Sequence, residues 1–163
     1  MFAVYIQAGR PSQAGPICEK MRHALVPASY AVIRNPLGHV LMLKRHGTGY
    51  CDGQWGLPSG HMEPGESPSA CVTREVWEEV GLKVPMESFL PAHALCRAAI
   101  NRVDFFFTLS RPVKDDLPTN MEPQKCSELG WFPLTMLPSN TIPYIKEALE
   151  AIQNGRSFSE TSS

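Results

Sequence analysis

The stretch SGHMEPGESPSACVTREVWEEVGL, residues 59–82, contains the clearest helix of the sequence. Ser67 can cap the start of this helix, and Pro68 suits its first turn. Gly81 can end the helix in the left-handed conformation, which glycine adopts without steric cost. The predicted helix carries much negative charge for a chain of 163 residues whose formal net charge is −1.

Three carboxylates of this helix are predicted to share one face. At ~100° per residue, Glu75, Glu78 and Glu79 fall within an arc of about 100°. Like charges three or four residues apart destabilise a helix by about 0.2–0.5 kcal/mol each. On this segment alone, a solvated helix face and a site for Mg²⁺ or Mn²⁺, which prefer hard oxygen ligands, both stay open. The residues expected on the opposite, buried face are Ala70, Thr73, Val76, Trp77 and Val80.

The spacing of fixed residues around the helix favours the cation site. From Gly60 the sequence reads glycine, five residues, Glu66, seven residues, and then REVWEEVGL at residues 74–82. This is the full pattern of the Nudix box, and the chain resembles a Nudix hydrolase. Seven fixed identities at background frequencies of about 5–7% give a chance match on the order of 10⁻⁹ per starting position. Similarity to the family extends over residues 25–154.

The resemblance implies hydrolysis of a nucleoside diphosphate linked to another moiety, with Mg²⁺ as cofactor and Mn²⁺ as a substitute. It implies a set of metal-binding and catalytic carboxylates, which are Glu75, Glu78, Glu79 and, from a later loop, Glu122. The backbone carbonyl of Gly60 is expected as a further ligand, and Glu66 and Arg74 as a structural ion pair. Arg45 and His61 are candidates for substrate binding, and Glu128 is a second loop candidate. Which carboxylate acts as the base, and how many ions bind, stay open.

The substrate is inferred from markers that the sequence lacks. ADP-ribose-type members of the family tend to carry a proline downstream of the box, where this chain has Cys96 and Arg97. The tyrosine typical of dinucleoside-polyphosphate members is absent between Leu82 and Pro143. We therefore expect a (d)NTP pyrophosphohydrolase that releases NMP and pyrophosphate. The alternatives are an ADP-ribose or nucleotide-sugar pyrophosphatase and a non-catalytic, nucleotide-sensing module.

The remaining segments predict a mixed α/β fold. Residues 26–34, 39–46 and 102–110 have the apolar and β-branched patterns of strands. Residues 141–155 predict a final helix that ends at Gly155. Strands and two helices in this order predict a sheet covered by helices on both faces. This agrees with the mixed β-sheet sandwich between α-helices (class α/β, or α+β) that the resemblance implies.

Pattern and composition also divide the chain. We expect a Nudix domain over residues 25–155, a loosely ordered extension over residues 1–24 and a disordered tail over residues 156–163.

Bulk composition limits the partners of the chain. A net charge of −1 gives no footprint for duplex nucleic acid, which needs clustered lysine and arginine. No apolar run approaches the ~18–20 residues of a membrane span. The five cysteines form no CxxC pair, so we expect free thiols in the reducing cytoplasm. The expected partner is a small nucleotide, and the sequence leaves a homodimer open.

Overall fold

The computed structural model describes residues 23–113 and 117–161. The extension predicted for residues 1–24 therefore lies almost entirely outside the described residues. The strands and helices follow in chain order as β1 (Val26–Val32), β2 (Val40–Arg45), β3 (Trp55–Gly56), β4 (Ser59–His61), α1 (Pro68–Val80), β5 (Phe89–Arg97), β6 (Arg102–Leu109), β7 (Cys126–Phe132), α2 (Pro143–Gln153) and β8 (Phe158–Thr161).

The strands form two sheets. One has five strands in the order β4-β1-β6-β5-β8, and the other has three in the order β3-β2-β7. Strand β1 pairs parallel with β6 and antiparallel with β4, so the larger sheet is mixed. The predicted mixed α and β architecture is confirmed. Neither helix of the described part of the chain has the length and hydrophobicity that crossing a membrane requires.

The helices cover opposite faces of the larger sheet. Tyr30 of β1 packs in one core cluster with Ile145 of α2, whereas the next residue, Ala31, packs in a second cluster with Val76 of α1. This is the period-two alternation of a strand with both faces buried. Full burial of each large apolar side chain contributes about 1.5–3 kcal/mol. The two clusters therefore fix α1 and α2 on either side of the sheet.

Helix α1 begins and ends where the sequence predicts. The Ser67 hydroxyl accepts a hydrogen bond from the backbone N–H of Ala70 at 3.2 Å. Gly81 has a φ of 69° and its N–H donates to the carbonyl of Trp77. Both ends of the helix are thus satisfied by the local sequence.

The predicted buried face of α1 is wrong at one position. Trp77 is 44% exposed, and Lys83 Nζ lies 4.8 Å from the centroid of its ring. The buried face instead follows Val72, Val76 and Val80. Successive residues differ by ~100°, which turns Trp77 away from the sheet and brings Glu79 beside the buried valines.

The prediction of a disordered tail is wrong for Phe158–Thr161. These residues form β8, which pairs parallel with β5 at the edge of the larger sheet. His93 of β5 is 4% exposed, and its Nδ1 lies 2.8 Å from the carbonyl oxygen of Arg156. Its Nε2 lies 2.8 Å from the Ser159 hydroxyl. Strand pairing with β5 and the hydrogen bonds of His93 therefore hold β8 in place, and the tail has no apolar pattern from which a strand could be predicted.

Candidate active site

A cleft of about 420 Å³ lies at the edge of the larger sheet beside α1. Nearly all of the site residues predicted from the sequence line it, namely Arg45, Gly60, His61, Arg74, Glu75, Glu78, Glu79 and Glu122. Glu66 reaches the cleft only through Arg74. Glu128 does not line the cleft, and its carboxylate pairs with Lys44 at 3.6 Å. The structure therefore favours Glu122 over Glu128 as the loop carboxylate.

Glu66 and Arg74 form a two-pronged ion pair. Arg74 Nε lies 2.9 Å from Glu66 Oε1, and Nη2 lies 3.0 Å from Oε2. Hydrogen bonds from Arg74 hold the pKa of Glu66 at about 2, well below its ordinary value. Glu66 Oε2 also accepts a hydrogen bond from the N–H of Glu63. The pair thereby ties the loop before α1 to the helix.

Arg74 also contacts two glutamates of its own helix. Its Nη1 donates to Glu75 Oε1 at 2.6 Å and to Glu78 Oε2 at 3.1 Å. The Glu75 side chain is only 13% exposed, whereas that of Glu78 is 49% exposed. One guanidinium therefore compensates part of the charge that would otherwise destabilise α1.

Negative charge is still in excess at the base of the cleft. Glu79 Oε2 accepts a hydrogen bond from the N–H of Ser59 at 2.8 Å. Burial, together with the charges of Glu75 and Glu122, raises the pKa of Glu79 to about 8. Burial also raises the pKa of Glu75, and the nearby Glu78 and Glu122 add to the shift. The carboxylates of α1 and of a later loop thus lie close enough that their charges oppose the ionisation of Glu75 and Glu79.

Gly60 on β4 lies against the Glu75 carboxylate. A Cβ atom at this position would overlap all three atoms of that carboxylate. The carbonyl oxygen of Gly60 accepts a weak hydrogen bond from Cys71 Sγ at 3.5 Å. The glycine therefore lets the Glu75 carboxylate lie directly against β4, in addition to the ligand role that the family resemblance implies.

Gly60→Ala is expected to lower kcat at least about tenfold, since a small displacement of a reacting group can cost up to 10²-fold. The methyl group displaces the Glu75 carboxylate, which is the end of a flexible side chain, so the fold should tolerate the change. Activity assays and thermal unfolding measure the two effects separately. Gly56→Ala is the control, because it lies outside the cleft and a Cβ there meets only the end of the Ile142 side chain, at 3.4 Å. Unchanged kcat in Gly60→Ala would show that this close approach does not position Glu75.

The donor set fits a hard divalent cation. It consists of carboxylates and one backbone carbonyl, which are ligands that such a cation prefers. The raised pKa values of Glu75 and Glu79 also indicate that a positive charge in the cleft would stabilise their ionised forms. Within the described residues, no three acidic, His or Cys side chains are already arranged around a common point. Arg74 holds Glu75 and Glu78, and the exposed Glu78 side chain has room to rotate.

Arg45, a predicted substrate-binding residue, holds the loop that follows β2. Its Nε donates to the carbonyl of Tyr50 at 2.8 Å, and its Nη2 donates to the Thr48 hydroxyl at 3.1 Å. Asp52 accepts further hydrogen bonds from this loop, from the N–H groups of Thr48 and Gly49. Arg45 thus positions Thr48 and Tyr50 along the cleft.

The far end of the cleft contains three polar residues that sequence reasoning missed, Tyr30, Arg102 and Tyr144, beside the predicted His61. Arg102 Nη1 lies 3.1 Å from His61 Nε2, and Arg102 Nη2 lies 3.3 Å from the Tyr30 hydroxyl. The hydroxyls of Tyr30 and Tyr144 are 3.2 Å apart. Partial burial and the charge of Arg102 lower the pKa of His61. These residues come from β1, β4, β6 and α2, and no local pattern in the sequence links them.

A mixed sheet between two helices, with glutamates of one helix converging in a cleft, defines an α+β domain with an acidic binding site. The family model for the NUDIX domain matches residues 24–152. The chain belongs to the NUDIX family.

Named relatives and solved structures agree with this assignment. The chain is 32% identical over 130 residues to the human 8-oxo-dGDP phosphatase NUDT18, a match that covers 79% of this chain and 39% of that protein. It is 29% identical over 137 residues to the NAD-capped RNA hydrolase NudC of Chromobacterium violaceum, covering 78% and 46%. The chain thus spans less than half the length of these relatives. The MutT NUDIX hydrolase of Burkholderia pseudomallei superposes with a TM-score of 0.67 at 26% identity, covering 77% of this chain and 95% of that one.

Proposed function

We propose that the chain hydrolyses a phosphoric anhydride bond of a nucleoside diphosphate derivative, and that its substrate is a (d)NTP cleaved to NMP and pyrophosphate. The observation that carries this proposal is that Glu75, Glu79 and Glu122 line one cleft of nucleotide size together with Gly60, with Glu122 close enough to raise the pKa of the other two. Membership of the NUDIX family and the hydrolases among its relatives support it. All the carboxylates of the Nudix box are present, which also favours an enzyme over a nucleotide-sensing module.

The side chains of the cleft have separable roles in this reaction. Mg²⁺, or Mn²⁺ in its place, held by the glutamates and the Gly60 carbonyl, would neutralise phosphate charge and lower the pKa of the attacking water. The N–H of Ser59 fixes the Glu79 carboxylate, and the pair of Glu66 and Arg74 fixes the loop between α1 and β4, the strand that carries Gly60. The proton of the water passes to one of the cleft carboxylates, and Glu122 approaches from the loop before β7 rather than from α1.

A nucleoside diphosphate is the second candidate substrate. The human relative is named as an 8-oxo-dGDP phosphatase, and hydrolysis of a diphosphate would release inorganic phosphate instead of pyrophosphate. ADP-ribose and nucleotide sugars stay as the alternatives that the sequence left open. The products therefore distinguish the candidates better than the rates do.

The test is a product assay with Mg²⁺ or Mn²⁺ and a panel of nucleotides. The panel contains canonical and oxidised NTPs and dNTPs, the matching diphosphates, ADP-ribose, nucleotide sugars and dinucleoside polyphosphates. Metal-dependent pyrophosphate from a (d)NTP supports the proposal, and phosphate from diphosphates alone supports the second candidate. If no member of the panel yields phosphate, pyrophosphate or a nucleoside monophosphate with either metal, the result contradicts hydrolysis and favours a sensing module.

Glu122→Gln is expected to lower kcat about tenfold, less than the ~10²–10⁴-fold that a general acid or base typically contributes, because α1 supplies other carboxylates. The change keeps the size of the side chain and removes its charge. Its ion pair with Lys125, at 2.7 Å, has an exposed lysine and contributes about 0–1 kcal/mol, so the fold should persist. Steady-state kinetics measure the effect. Glu128→Gln, which breaks a similar lysine pair outside the cleft, is the control, and wild-type kinetics in Glu122→Gln would remove Glu122 from the site.

The cellular setting stays a prediction. Cys51, Cys71, Cys96 and Cys126 are free thiols, as a reducing cytoplasm favours. We propose that the protein acts there on small nucleotides, without duplex nucleic acid as a partner. A homodimer stays open, and light scattering of the purified protein would test it.

A further inference from the structure

The far end of the cleft is a continuous hydrogen-bonded surface. We define the donor wall as Tyr30, His61, Arg102 and Tyr144, all of which line the cleft. Arg102 donates to Tyr30 and to His61, and the two tyrosine hydroxyls are 3.2 Å apart. Tyr30 is only 4% exposed, so its hydroxyl has a fixed place in this network.

The network leaves hydrogens over for a ligand. The two tyrosine hydroxyls carry two hydrogens, and the bond between them uses one, whichever oxygen donates. Since Tyr30 accepts from Arg102, one hydroxyl hydrogen of the pair stays available. Arg102 has four Nη hydrogens, and three are directed at Tyr30, His61 and Asp104. Burial raises the pKa of both tyrosines, so the hydroxyls remain protonated donors at neutral pH.

The carboxylate behind the donor wall is not available to a ligand. Asp104 is 0% exposed, and it accepts from Arg97 Nε at 2.8 Å and from Arg102 Nη2 at 3.2 Å. It neutralises one of the two arginine charges and orients Arg102. Among the residues that the structure describes, the donor wall itself contains no carboxylate or carboxamide side chain. A ligand there meets the fourth Nη hydrogen of Arg102, a group that can only donate, together with the spare tyrosine hydroxyl hydrogen.

The geometry places the donor wall at the base end of a nucleotide. His61 directly follows Gly60, which touches Glu75, so the wall begins next to the proposed phosphate site. The rings of Tyr30 and Tyr144 meet edge-on, with centroids 6.2 Å apart and an interplanar angle of 82°. The Tyr30 ring stacks on Phe106 and the Tyr144 ring packs against Arg97, so the two tyrosines contribute their polar tips, which suit the edge of a flat heterocycle.

We propose that the donor wall binds a carbonyl oxygen of the nucleobase, so that the chain favours oxo bases over amino bases. Hypoxanthine and guanine present O6, and uracil and thymine present O4, as acceptors. Adenine and cytosine place an amino group there, which would face donors and leave them unpaired. This inference rests on the proposed function, since it assumes a nucleotide in the cleft.

The test compares binding of IMP and AMP, whose bases differ in the oxo or amino group at position 6. The wild-type protein is expected to bind IMP at least about tenfold more tightly, because a buried donor without a partner is costly. Tyr144→Phe leaves the spare hydroxyl hydrogen on Tyr30, which is too deeply buried to donate it to a ligand. Arg102→Lys replaces the planar guanidinium by a point charge. Each variant should reduce the IMP preference to within about threefold. The control is Arg111→Lys, an exposed position outside the cleft, which should keep the wild-type ratio.

Titration calorimetry or NMR gives the dissociation constants, and thermal unfolding checks that each variant is folded. Equal binding of IMP and AMP by the wild type overturns the inference. An equal loss for both nucleotides in the variants also overturns it, because the wall would then contact phosphate or ribose. If Tyr144→Phe does not fold, Arg102→Lys still decides the question.

The outcome is separable from that of the proposed function, because a monophosphate contains no anhydride bond. A protein that prefers IMP but hydrolyses no nucleotide would retain the donor wall and refute the hydrolase. A protein that hydrolyses ITP and ATP with equal kcat/KM and binds IMP and AMP equally would retain the hydrolase and refute the donor wall.

Discussion

Glu78→Gln is expected to lower kcat by at least about 100-fold while the protein stays folded, since electrostatic stabilisation aided by a metal is worth several kcal/mol. The Glu78 side chain is 49% exposed, and the one protein contact described for its carboxylate is Arg74 Nη1 at 3.1 Å. A pair at this helical spacing contributes only about 0.3–0.5 kcal/mol. Glu78 therefore adds little to stability, and the expected loss of activity follows from its proposed role in binding a cation.

The measurement is kcat at saturating substrate over a range of Mg²⁺ concentrations, with thermal unfolding of each protein. Glu87→Gln makes the same chemical change at an exposed position outside the cleft and should behave as the wild type. Partial recovery of Glu78→Gln at high Mg²⁺ would locate the defect in cation binding. Full activity in this variant would contradict the assignment of the α1 glutamates as a metal site.

The sequence predicted which glutamates of α1 line the cleft, because their positions depend on local geometry. Ser67 and Gly81 fix the two ends of α1, and helical spacing then fixes where the glutamates between them point. Glu66 lies one residue before the N-cap, so its pairing with Arg74 also depends on short-range structure. Caps and helical period act within a few residues and are therefore visible in a single sequence.

The far end of the cleft depends on contacts between distant parts of the chain. Ala28 of β1 lies opposite Asp104 of β6 in a parallel register, and this pairing brings Arg102 to Tyr30. Tyr144 arrives from α2, which packs against the sheet through its own apolar face. Strand register and helix docking follow from the whole core, so no motif within one segment predicts the donor wall.

The error at Trp77 has a related cause. A helical wheel gives the angles between side chains but not which direction faces the sheet. The valines at four-residue spacing set that direction, and they turn Glu79 toward the interior and Trp77 toward solvent. The partial burial of Glu79, which raises its pKa, is a consequence of this rotation.

Breaking the ion pair behind the donor wall is expected to destabilise the larger sheet strongly. Asp104 is 0% exposed and Arg97 is 3% exposed, with Nε and Oδ2 2.8 Å apart. The Arg97 guanidinium lies 3.7 Å from the centroid of the Tyr144 ring. Asp104→Ala leaves that charge buried without its counter-ion, which costs about 3–5 kcal/mol. Domains of this kind are stable by only about 5–15 kcal/mol, so the variant should be close to unfolding.

Urea denaturation of Asp104→Ala gives this loss as a change in the free energy of unfolding, and Glu150→Ala, at an exposed position on α2, is the control. A cavity and an unpaired charge would both destabilise the single variant, and the double variant Arg97→Met with Asp104→Leu separates them. Replacing a buried ion pair by apolar side chains is often neutral. Recovery of most of the stability in the double variant would show that the unpaired charge is the cause. Equal instability of the single and double variants would instead assign the loss to packing or to Arg102, which loses its pair with Asp104 in both.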